Sequence, residues 1–472
     1  MPTLSTEQDA AYKAVVDWWR HGSSRVFYLC GYAGSGKSTL LPYIVDGLNL
    51  TPIHPDQLPD KSSRISLVQQ AHNGDRLVLF AAPTGQAALV MSRKFRAAGF
   101  DWQAMTLHKA LYTPVDKTLH DYLMEVLLRH KSKQDAQIYF QFITNGDDSA
   151  LTPQQKSEKT HWLGQAKSLQ SRDTMRARFQ LQESSIAECA SLIVVDEASM
   201  VSGGIVRDLL SSGARILAVG DPAQLPPIKS STALISNATL PDAMLSEIHR
   251  QAQDNPIIQL ASAVRLGTTL PPEGYISPNR EIIIHPQRSI SIHEIAASRT
   301  TTDATKEATL VGTNQSRWAI THYYRSNNYG PIYVDPQVGE PLICVRNNYY
   351  KGSLMMVNGQ QLVVCRPSKQ TGSSVTYIEA DVVADPRRVR MAALSRILKE
   401  YTNNSFSSSP QDEHKSLYHI DFAYAMTVHK FQGSQATRII AIDESQTFRH
   451  DARRWLYTLV TRAEKAIEIF QP

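Results

Sequence analysis

The sequence predicts an α/β protein in which buried parallel strands alternate with helices. The first observation is a set of five short apolar segments, each followed by glycine, proline or an acidic pair, at residues 26–30, 77–81, 192–195, 216–219 and 439–442. The second is a glycine-rich loop directly after the first segment, which leads into a run with apolar residues at helical spacing. Together they predict a strand, a loop and a helix at the start of a parallel sheet.

The length and composition fit several folded units. The chain has 472 residues, of which 42% are apolar and 20% are charged. At roughly 150 residues per domain this length predicts about three units, and the composition is typical of a chain that folds unaided. The formal charge of +5 is compatible with nucleic acid and equally with a neutral partner, so the charge does not separate these classes.

The sequence argues against a membrane protein, a secreted protein and a protein stabilised by zinc sites or disulfides. The apolar segments are far shorter than the roughly 18 residues that cross a bilayer. Glu7, Asp9 and Asp17 stand where a signal peptide would be basic and then apolar, which predicts a cytoplasmic protein. The cysteines are widely spaced without a CxxC pair, and we expect them to pack as small hydrophobic residues. They are Cys30, Cys189, Cys344 and Cys365.

Two stretches differ from the rest of the chain in the pattern of their apolar residues. Apolar residues between Leu119 and Leu127 recur at helical spacing, and a turn signal follows at 145–148, so we interpret 113–189 as an insertion with at least one amphipathic helix. From 339 to about 421 short alternating segments predict a small β-rich unit, with Asn358-Gly359 as a hairpin signal.

Two further stretches read as connections without chemistry. Residues 50–76 contain three prolines and are expected to be irregular, and residues 402–412 are expected to form a surface loop.

The glycine-rich loop carries the clearest chemical signal. Residues 31–38, GYAGSGKS, match the phosphate-loop pattern GxxxxGK[ST] in full. Backbone N–H groups of such a loop surround phosphates, Lys37 supplies a positive charge at the β and γ phosphates, and the Ser38 hydroxyl can hold Mg²⁺. The alternative is a glycine turn that only caps a helix, which the preceding strand and following helix make less favoured.

Two carboxylates follow another predicted strand. Asp196 and Glu197 come directly after residues 192–195, where a parallel sheet presents its functional edge. Taken alone, such a pair is more often a solvated turn. Beside a phosphate loop it fits phosphoryl transfer, with Asp196 on the metal ion and Glu197 activating the attacking water.

Three more polar residues are candidates for the same chemistry. Gln224, in GDPAQLPP, could sense the γ phosphate, and Arg250 and Arg462 lie in SEIHRQ and LYTLVTRAE. From the residues alone, each arginine could equally form an ordinary surface ion pair.

These motifs belong to a longer series. In chain order they are GYAGSGKST, AAPTGQAA, TLHKAL, VVDEASM, GDPAQLPP, EIHRQ, YAMTVHKFQGSQ and LYTLVTRA. The series resembles superfamily 1 helicases of the RecD-like branch, in particular Dda-like phage helicases. The resemblance spans most of the chain, and TVHKFQGSQ followed by LVTRA is its most specific part.

The resemblance implies roles for individual residues toward ATP, Mg²⁺ and DNA. Gln8 corresponds to the family's adenine-contacting glutamine, and Arg250 and Arg462 correspond to its two γ-phosphate arginines. The implied nucleotide-binding set is Gln8, Gly34, Ser35, Gly36, Lys37, Ser38 and Thr39. The implied metal ligands are Ser38 and Asp196, and the implied catalytic set is Lys37, Glu197, Gln224, Arg250 and Arg462. The residues implied to face DNA or to couple it to ATP are Pro83, Thr84, Thr106, His108, Thr427, His429, Lys430 and Gln432. For His429 a buried core histidine is the alternative.

The resemblance also implies an architecture. It is an α/β fold of two RecA-like P-loop domains, with an insertion in the first and a β-rich SH3-like insertion in the second. The implied segments are 1–112 with 190–245 for the first RecA-like domain, 113–189 for the strand-separating insertion, 246–338 with 426–472 for the second RecA-like domain, and 339–425 for the SH3-like insertion.

The implied activity is that of an ATP-dependent DNA helicase that moves 5′ to 3′ on a single strand. The expected partners are single-stranded DNA and duplex junctions, and a single-strand-binding, replication or recombination protein could join them. A monomer in the cytoplasm, or in the host cytoplasm for a phage protein, is expected. The alternatives are a nucleotide-dependent nucleic-acid-binding switch, an RNA helicase, and the motor subunit of a nuclease complex.

The insertion is the candidate contact with the duplex junction. It mixes basic with aromatic residues, namely Arg129, Lys131, Lys133, Arg172, Arg176 and Arg178 with Tyr139, Phe140, Phe142 and Trp162. The alternative is a set of solvated basic helix faces over a small aromatic core.

Overall fold

A computed structural model shows a chain that divides into two compact units. The smaller unit is built from Tyr112–Glu183, and the larger unit contains the three main sheets. The residues that the structure describes are 4–54, 76–115, 119–144, 151–173, 178–182, 185–227, 233–236, 238–247, 254–288, 290–299, 306–329, 335–345, 348–350, 353–356, 358–371, 375–383, 388–394 and 420–472.

The first sheet of the larger unit is parallel throughout. Its strand order is β2-β3-β7-β8-β1-β9, and β4 pairs with β3. The strands are β1 (Val26–Gly31), β2 (Thr51–Pro52), β3 (Leu77–Ala82), β4 (Ala104–Thr106), β7 (Leu192–Val195), β8 (Arg215–Gly220) and β9 (Ala243–Leu245). The helices around it are α1 (Thr6–His21), α2 (Lys37–Gly47), α3 (Gly85–Ala97), α4 (Leu107–Leu111), α8 (Ile186–Cys189) and α9 (Gly203–Ser211). Four predicted strands are therefore confirmed, whereas the irregular connection expected from residue 50 begins instead with the edge strand β2; residues 55–75 lie outside the described part.

The second sheet repeats this parallel design. Its order is β10-β11-β22-β21-β12-β20, and only the β10–β11 pair is antiparallel. The strands are β10 (Tyr275–Ile276), β11 (Ile282–Ile284), β12 (Glu307–Val311), β20 (Met426–Thr427), β21 (Ala436–Ile442) and β22 (Ala463–Phe470). The helices are α10 (Pro256–Leu266), α11 (Ile292–Ala297), α12 (Asn314–Asn328), α13 (Val428–Phe431) and α14 (Ala452–Val460). The two sheets are those of two RecA-like domains, and the fifth predicted strand, 439–442, lies within β21.

The β-rich stretch forms a third, antiparallel sheet. Its order is β18-β17-β16-β13-β19. The strands are β13 (Pro341–Cys344), β16 (Gln361–Thr371), β17 (Val375–Val382), β18 (Arg388–Leu394) and β19 (Ile420–Phe422), and β14 (Asn348–Tyr350) pairs separately with β15 (Ser353–Met356). The SH3-like character of this unit stays a prediction, as do the domain boundaries, and the expected surface loop at 402–412 lies outside the described residues.

The hairpin predicted at Asn358-Gly359 is wrong. The two residues do form a turn, with Gly359 at φ 87°. However, β15 before the turn pairs with β14, and β16 after it pairs with β13 and β17. The Gly359 N–H donates to the Cys344 carbonyl at 2.8 Å, and the Cys344 N–H donates to the Gln360 carbonyl at 2.8 Å. These bonds tie the turn to the end of β13, so it joins two sheets.

The smaller unit is helical, with one short strand pair. Helices α5 (Leu119–His130), α6 (Lys133–Thr144) and α7 (Pro153–Asp173) accompany β5 (Tyr112–Val115) and its antiparallel partner β6 (Arg178–Leu181). The predicted amphipathic helix is confirmed as α5, which buries Tyr122, Leu123, Val126 and Leu127. The turn predicted at 145–148 lies outside the described residues.

Two composition-based expectations have structural outcomes. None of the four cysteines forms a disulfide; Cys30, Cys189 and Cys344 are buried, and Cys365 is half-buried. Within the described ranges, no helix combines the length and apolar character that a membrane span requires.

Candidate active site and nucleic-acid motifs

The phosphate loop lies between β1 and α2, as its sequence predicts. Gly34 and Gly36 both have φ near 80°, a left-handed conformation that glycine adopts without strain. Gly36 precedes the first turn of α2, so the free N–H groups of that turn open toward the loop. A side chain at Gly31 would meet Ser35 Oγ at 2.7 Å, so the loop closes tightly on itself. This geometry suits a phosphate held by backbone N–H groups.

The polar side chains of the loop are bonded within it. Lys37 Nζ donates to the carbonyls of Gly31 at 2.5 Å and Tyr32 at 2.9 Å. The Ser35 hydroxyl also donates to the Tyr32 carbonyl, at 2.8 Å. The acceptors of Lys37 in the described part of the chain are therefore all neutral, and an anionic phosphate could add to them. Ser38 is half-buried and Thr39 is exposed, both in the first turn of α2.

The two carboxylates lie at the end of β7. The Asp196 N–H donates to the Ala81 carbonyl at 3.1 Å, which extends the sheet, and Asp196 Oδ1 accepts from the Glu197 N–H at 2.9 Å. Burial raises the pKa of Asp196, the charge of Glu197 raises it further, and the cations of Lys94 and Lys37 oppose this rise.

Glu197 adopts a strained backbone conformation. Its φ of 53° and ψ of 39° place a long side chain in the left-handed region, where such a residue costs about 1–3 kcal/mol. Glu197 directly precedes a short 3₁₀ turn, Ala198–Met200. The surrounding structure must offset the cost of this backbone conformation. Strain of this kind clusters at functional sites.

A third carboxylate, Asp221, follows β8. It is 1% exposed and accepts from the Tyr457 hydroxyl at 2.6 Å and the Ala223 N–H at 2.9 Å. Burial raises its pKa, opposed by the charge of Lys37. Gln224, three residues on, is also buried, and its Oε1 has no hydrogen-bond partner among the described residues. A buried, unpaired amide oxygen is costly unless a ligand or water satisfies it.

Arg462 is buried, which excludes the surface ion pair considered above. Among the described residues, its guanidinium donates only to neutral oxygens: the Thr458 carbonyl at 3.1 Å, the Ser434 carbonyl at 3.2 Å and the Thr461 hydroxyl at 3.1 Å. Burial lowers the pKa of Arg462, while the negative charges of Glu197 and Asp221 oppose this. Because this interaction reaches Glu197 and Asp221, Arg462 lies within electrostatic range of the first domain's carboxylates. Arg250 lies outside the described residues.

Among the described residues, three hydrogen bonds link the loop after β8 to the second RecA-like domain, and a fourth links that domain to the phosphate loop. The Tyr457 hydroxyl, on α14, donates to Asp221 and accepts the Ala33 N–H at 3.0 Å. The Leu225 N–H donates to the Thr458 hydroxyl at 3.0 Å, and Gln432 Nε2 donates to the Leu225 carbonyl at 3.2 Å. Gln432 thus contacts the first domain, in keeping with the coupling role the resemblance implies.

Gln8 caps the first helix. Its Oε1 accepts from the Ser5 N–H at 3.1 Å, and its own N–H donates to Ser5 Oγ at 3.3 Å, which forms a capping box. The side chain is 4% exposed. This structural role is compatible with the implied adenine contact, which stays a prediction.

Two of the four motif residues of the first domain are helix caps. Thr84 accepts from the Ala87 N–H at 3.1 Å at the start of α3, and Thr106 accepts from the Lys109 N–H at 3.2 Å at the start of α4. Pro83 is half-buried beside Thr84. Burial lowers the pKa of His108, which favours its neutral form at pH 7.

The motif residues of the second domain gather around α13. Thr427 caps this helix by accepting from the Lys430 N–H at 3.3 Å. Lys430 Nζ lies 3.9 Å from the Asp421 carboxylate. Burial lowers the pKa of the half-buried His429, opposed by Asp451, and its ring lies 5.2 Å from that of Phe448. A side chain at Gly433 would lie 3.4 Å from Thr84 Oγ1, so the motifs of the two sheets meet here.

The donor set fits Mg²⁺ only with help from other oxygens. Ser38 and Asp196 supply one hydroxyl and one carboxylate, the oxygen ligands that Mg²⁺ prefers alongside water and substrate phosphate. Among the described residues no group of three or more histidine, cysteine or acidic side chains could hold a metal by itself. A site completed by a nucleotide's phosphates is consistent with both facts.

The fold and this site define a P-loop protein with two RecA-like sheets. The chain belongs to the AAA-domain family, whose pattern matches residues 3–274, and the UvrD-like helicase C-terminal domain matches residues 422–467.

Curated relatives resemble part of the chain. The ATP-dependent RecD2 DNA helicase of Deinococcus radiodurans is 25% identical over 281 residues, which cover 58% of this chain and 35% of that protein. The RecBCD enzyme subunit RecD of Mycolicibacterium smegmatis is 26% identical over 304 residues, 59% of this chain and 49% of the relative. The chain thus spans half or less of the length of these relatives. The RecD-like resemblance is confirmed, and the Dda-like phage type stays a prediction.

Among solved structures, Bacteroides Pif1 bound to single-stranded DNA is 14% identical and aligns over 99% of this chain and 92% of that chain, with a TM-score of 0.47.

Sequence reasoning missed two residues of this site. Asp221 and Tyr457 both lie in quoted motifs, yet no role was predicted for either. Asp221 directly follows a strand of a parallel sheet, the same signal that indicated Asp196. Nothing in the sequence pairs it with Tyr457, because 236 positions separate the two residues.

Proposed function

We propose that this protein is an ATP-dependent DNA helicase that translocates 5′ to 3′ on single-stranded DNA. The observation that carries the proposal is Arg462, a buried cation whose hydrogen-bond partners among the described residues are all neutral and whose charge interacts with those of Glu197 and Asp221. A buried charge without an ionic partner is costly. A triphosphate held by the phosphate loop would supply the missing anion.

ATP hydrolysis follows from the roles of individual side chains. Lys37 would move its donors from loop carbonyls toward the β and γ phosphates, and Gln8 would contact the adenine. Ser38 and Asp196 would hold Mg²⁺, which supplies neutralising charge at the phosphate oxygens when bound. Glu197 would accept a proton from the attacking water, Gln224 would contact the γ phosphate, and Arg462, with Arg250, would stabilise charge on the transferring phosphoryl group.

Coupling to DNA would run through the bonds that join the two sheets. Gln432 and Thr458 both contact Leu225, and Gly433 approaches Thr84. A strand bound at Pro83, Thr84, Thr106, His108, Thr427, His429 and Lys430 would therefore favour one relative arrangement of the sheets. Since Arg462 must reach the phosphates for hydrolysis, that preference would raise the ATPase rate.

The proposed division of labour keeps the predicted segments. Residues 1–112 with 190–245 and residues 246–338 with 426–472 would form the motor. Residues 113–189 would separate the strands, and residues 339–425 would form an SH3-like insertion. We place the protein in the cytoplasm as a monomer, with replication or recombination proteins as candidate partners.

The decisive experiment is unwinding of partial duplexes with only a 5′ or only a 3′ single-stranded tail, in DNA and RNA versions. We expect ATP-dependent unwinding of the 5′-tailed DNA, and none by the matched Glu197→Gln variant. Binding without unwinding on every substrate would instead indicate a nucleotide-dependent switch. Preference for RNA tails would replace the DNA substrate class.

The insertion needs a test of its own. Between its first two helices, Lys131 Nζ lies 3.5 Å from the centroid of the Tyr139 ring and 5.3 Å from that of Trp162, and these rings pack on a small apolar core. Phe140 and Phe142 pack there too, which favours the aromatic-core alternative for the rings but leaves Arg129 and Lys133 exposed. Arg176 and the side chains of Arg172 and Arg178 lie outside the described residues.

We therefore expect Arg129→Ala with Lys133→Ala to slow unwinding and spare DNA-stimulated ATPase. The matched control is Lys13→Ala, which removes an exposed cation from α1 that, like Arg129, pairs with a carboxylate four residues before it. Unwinding at the full rate in the double variant would remove these two residues from the junction.

A further inference from the structure

An arginine of the second RecA-like domain stacks on the phosphate loop. The guanidinium carbon of Arg265, near the end of α10, lies 3.6 Å from the centroid of the Tyr32 ring. Tyr32 is the second residue of the loop, directly after Gly31. This distance is well inside the range of a cation–π contact. The two domains therefore touch at the loop through a pair of side chains that neither the motifs nor the resemblance assigned.

Arg265 is anchored firmly in its own domain. Helix α10 buries Ile257, Ala261 and Val264, and all three belong to the apolar core of the second RecA-like sheet. Arg265 follows Val264 directly, so its Cα cannot shift without disturbing that core. The position of the guanidinium consequently follows the position of the second domain.

The ring is the principal partner that the structure gives to Arg265. Its Nε is buried and has no hydrogen-bond acceptor among the described residues, and no described carboxylate forms an ion pair with it. Burial and the charge of Asp221 raise the pKa of Tyr457, and the charge of Arg265 opposes this rise; the Tyr457 hydroxyl accepts the Ala33 N–H of the same loop. Arg265 thus lies at the site without being committed to a structural salt bridge.

Tyr32 is well placed to transmit the contact. Its carbonyl accepts hydrogen bonds from both Lys37 Nζ and Ser35 Oγ, and its N–H donates to the Leu245 carbonyl at 3.2 Å. Fixing the ring therefore fixes the backbone group that orients the Lys37 ammonium. A displaced Tyr32 would leave Lys37 with one fewer oriented acceptor.

We propose that Arg265 is a positioning residue for ATP binding, which acts through the Tyr32 ring to orient the phosphate loop and Lys37. The inference rests on the proposed ATP site, and it adds a contact from the second domain that precedes any reaction at the γ phosphate. Arg265 itself does not touch the reacting atoms in this scheme. Its effect is on how well the loop is preformed for the nucleotide.

The test is a double-mutant cycle in the full-length chain. Tyr32→Leu removes the ring without changing any charge, Arg265→Met removes the cation but keeps much of the stem, and the third variant carries both changes. Tyr32→Phe and Arg265→Lys are the conservative controls, since each keeps one half of the contact. The measurements are the Kd for a fluorescent ATP analogue, kcat and KM for DNA-stimulated ATP hydrolysis, and the melting temperature.

We expect the Kd and KM for ATP to rise about 3- to 10-fold in each single variant, the effect of one partly buried cation–π contact. The double variant should match the single variants, because they break the same contact. Tyr32→Phe should restore wild-type values, and kcat should change far less than KM. Binding of single-stranded DNA without nucleotide should be unchanged in all variants.

Two results would overturn the inference. Effects that multiply in the double variant would show that the two residues act independently, and a Kd equal to that of the wild type in both single variants would remove the positioning role. A wild-type protein that binds the analogue but hydrolyses no ATP would instead contradict the proposed function, and the cycle on Kd would still decide the role of Arg265.

Discussion

Arg325 and Arg462 belong to the same half of the larger unit and are almost equally buried, at 0% and 4% exposure, yet their surroundings differ in kind. Arg325 forms a two-point ion pair with Glu340, with Nε to Oε1 at 2.8 Å and Nη2 to Oε2 at 3.1 Å. Arg462 donates, as far as the described ranges extend, only to two carbonyls and one hydroxyl. Burying a guanidinium is costly in either case. At Arg325 the compensating anion is the carboxylate of Glu340. At Arg462, under the proposed function, the compensating anion is the triphosphate of the bound nucleotide.

The nature of the hydrogen-bond partners, ionic at Arg325 and neutral at Arg462, distinguishes a structural cation from a functional one more clearly than burial does. Lys37 shares the pattern of Arg462, because its hydrogen bonds also go to neutral carbonyls. A cation that the fold neutralises is expected to govern stability. A cation that the fold leaves to neutral acceptors is expected to govern ligand binding and rate.

The largest effect is expected for Lys37→Ala. This variant tests whether a cation with neutral hydrogen-bond acceptors also governs ligand binding and rate in the phosphate loop. ATP hydrolysis should fall to background, because no other described cation lies in the loop to meet the β and γ phosphates. The fold should persist, since the loop backbone keeps its own hydrogen bonds. Colorimetric phosphate release with saturating DNA measures the rate, and circular dichroism checks the fold. Hydrolysis at the wild-type rate would place the nucleotide elsewhere.

The direct comparison is Arg462→Ala against Arg325→Ala. Arg462→Ala should bind ATP and DNA nearly normally but lose about 10³- to 10⁵-fold in kcat, the contribution of an arginine at the transferring phosphoryl group. Arg462→Lys should not rescue it, because lysine lacks the planar fork of guanidinium. Arg325→Ala should instead lower the free energy of unfolding by about 3–5 kcal/mol, since Glu340 is left buried without its cationic partner.

Stopped-flow ATPase and chemical denaturation, applied to both variants, separate these outcomes. Loss of stability with normal kcat in Arg462→Ala would reverse the assignment and make Arg462 a structural residue.

A smaller effect is expected for Glu197→Gln. The amide cannot accept a proton from water, so kcat should fall about 10²- to 10⁴-fold, while the Kd for ATP stays close to that of the wild type. The side chain is nearly isosteric and the strained backbone is unchanged, so the melting temperature should hold. Equilibrium binding and single-turnover hydrolysis measure the two quantities. A variant that turns over normally would leave the proton acceptor to another group, and Asp221 would be the first to examine.

Sequence reasoning reached the first domain's site more completely than the second's. The glycine spacing of the phosphate loop and the position of Asp196 and Glu197 after a strand are local signals, and local geometry follows from them. The left-handed backbone of Glu197 and the burial of Arg462 depend on packing across hundreds of residues. The Asn358-Gly359 turn shows the same limit, because its local conformation was predictable but the strands that it joins were not.

The finest test of the comparison uses two buried tyrosines, each of which donates to a buried carboxylate. Tyr457 donates to Asp221 at 2.6 Å beside the phosphate loop, and Tyr424 donates to Glu340 at 2.9 Å beside the Arg325 ion pair. Phenylalanine removes only the hydroxyl in each case, so the two variants lose a similar bond in a similar environment. Each should lose about 1.5–3 kcal/mol of unfolding free energy, the typical contribution of a hydrogen bond to a charged group.

Only Tyr457→Phe should also change the reaction. Its hydroxyl accepts the Ala33 N–H as well, so the variant frees the phosphate loop and removes a hydrogen bond that opposes protonation of Asp221. We therefore expect kcat/KM for ATP to fall about tenfold, with an acidic limb of the pH–rate profile shifted to higher pH because the pKa of Asp221 rises further. Tyr424→Phe should keep the wild-type profile. Equal losses of stability, with no shift in either pH–rate profile, would show that Tyr457 only stabilises the contact between the two sheets. The coupling between Arg462 and the phosphate loop would then depend on Thr458, Gln432 and their shared partner Leu225.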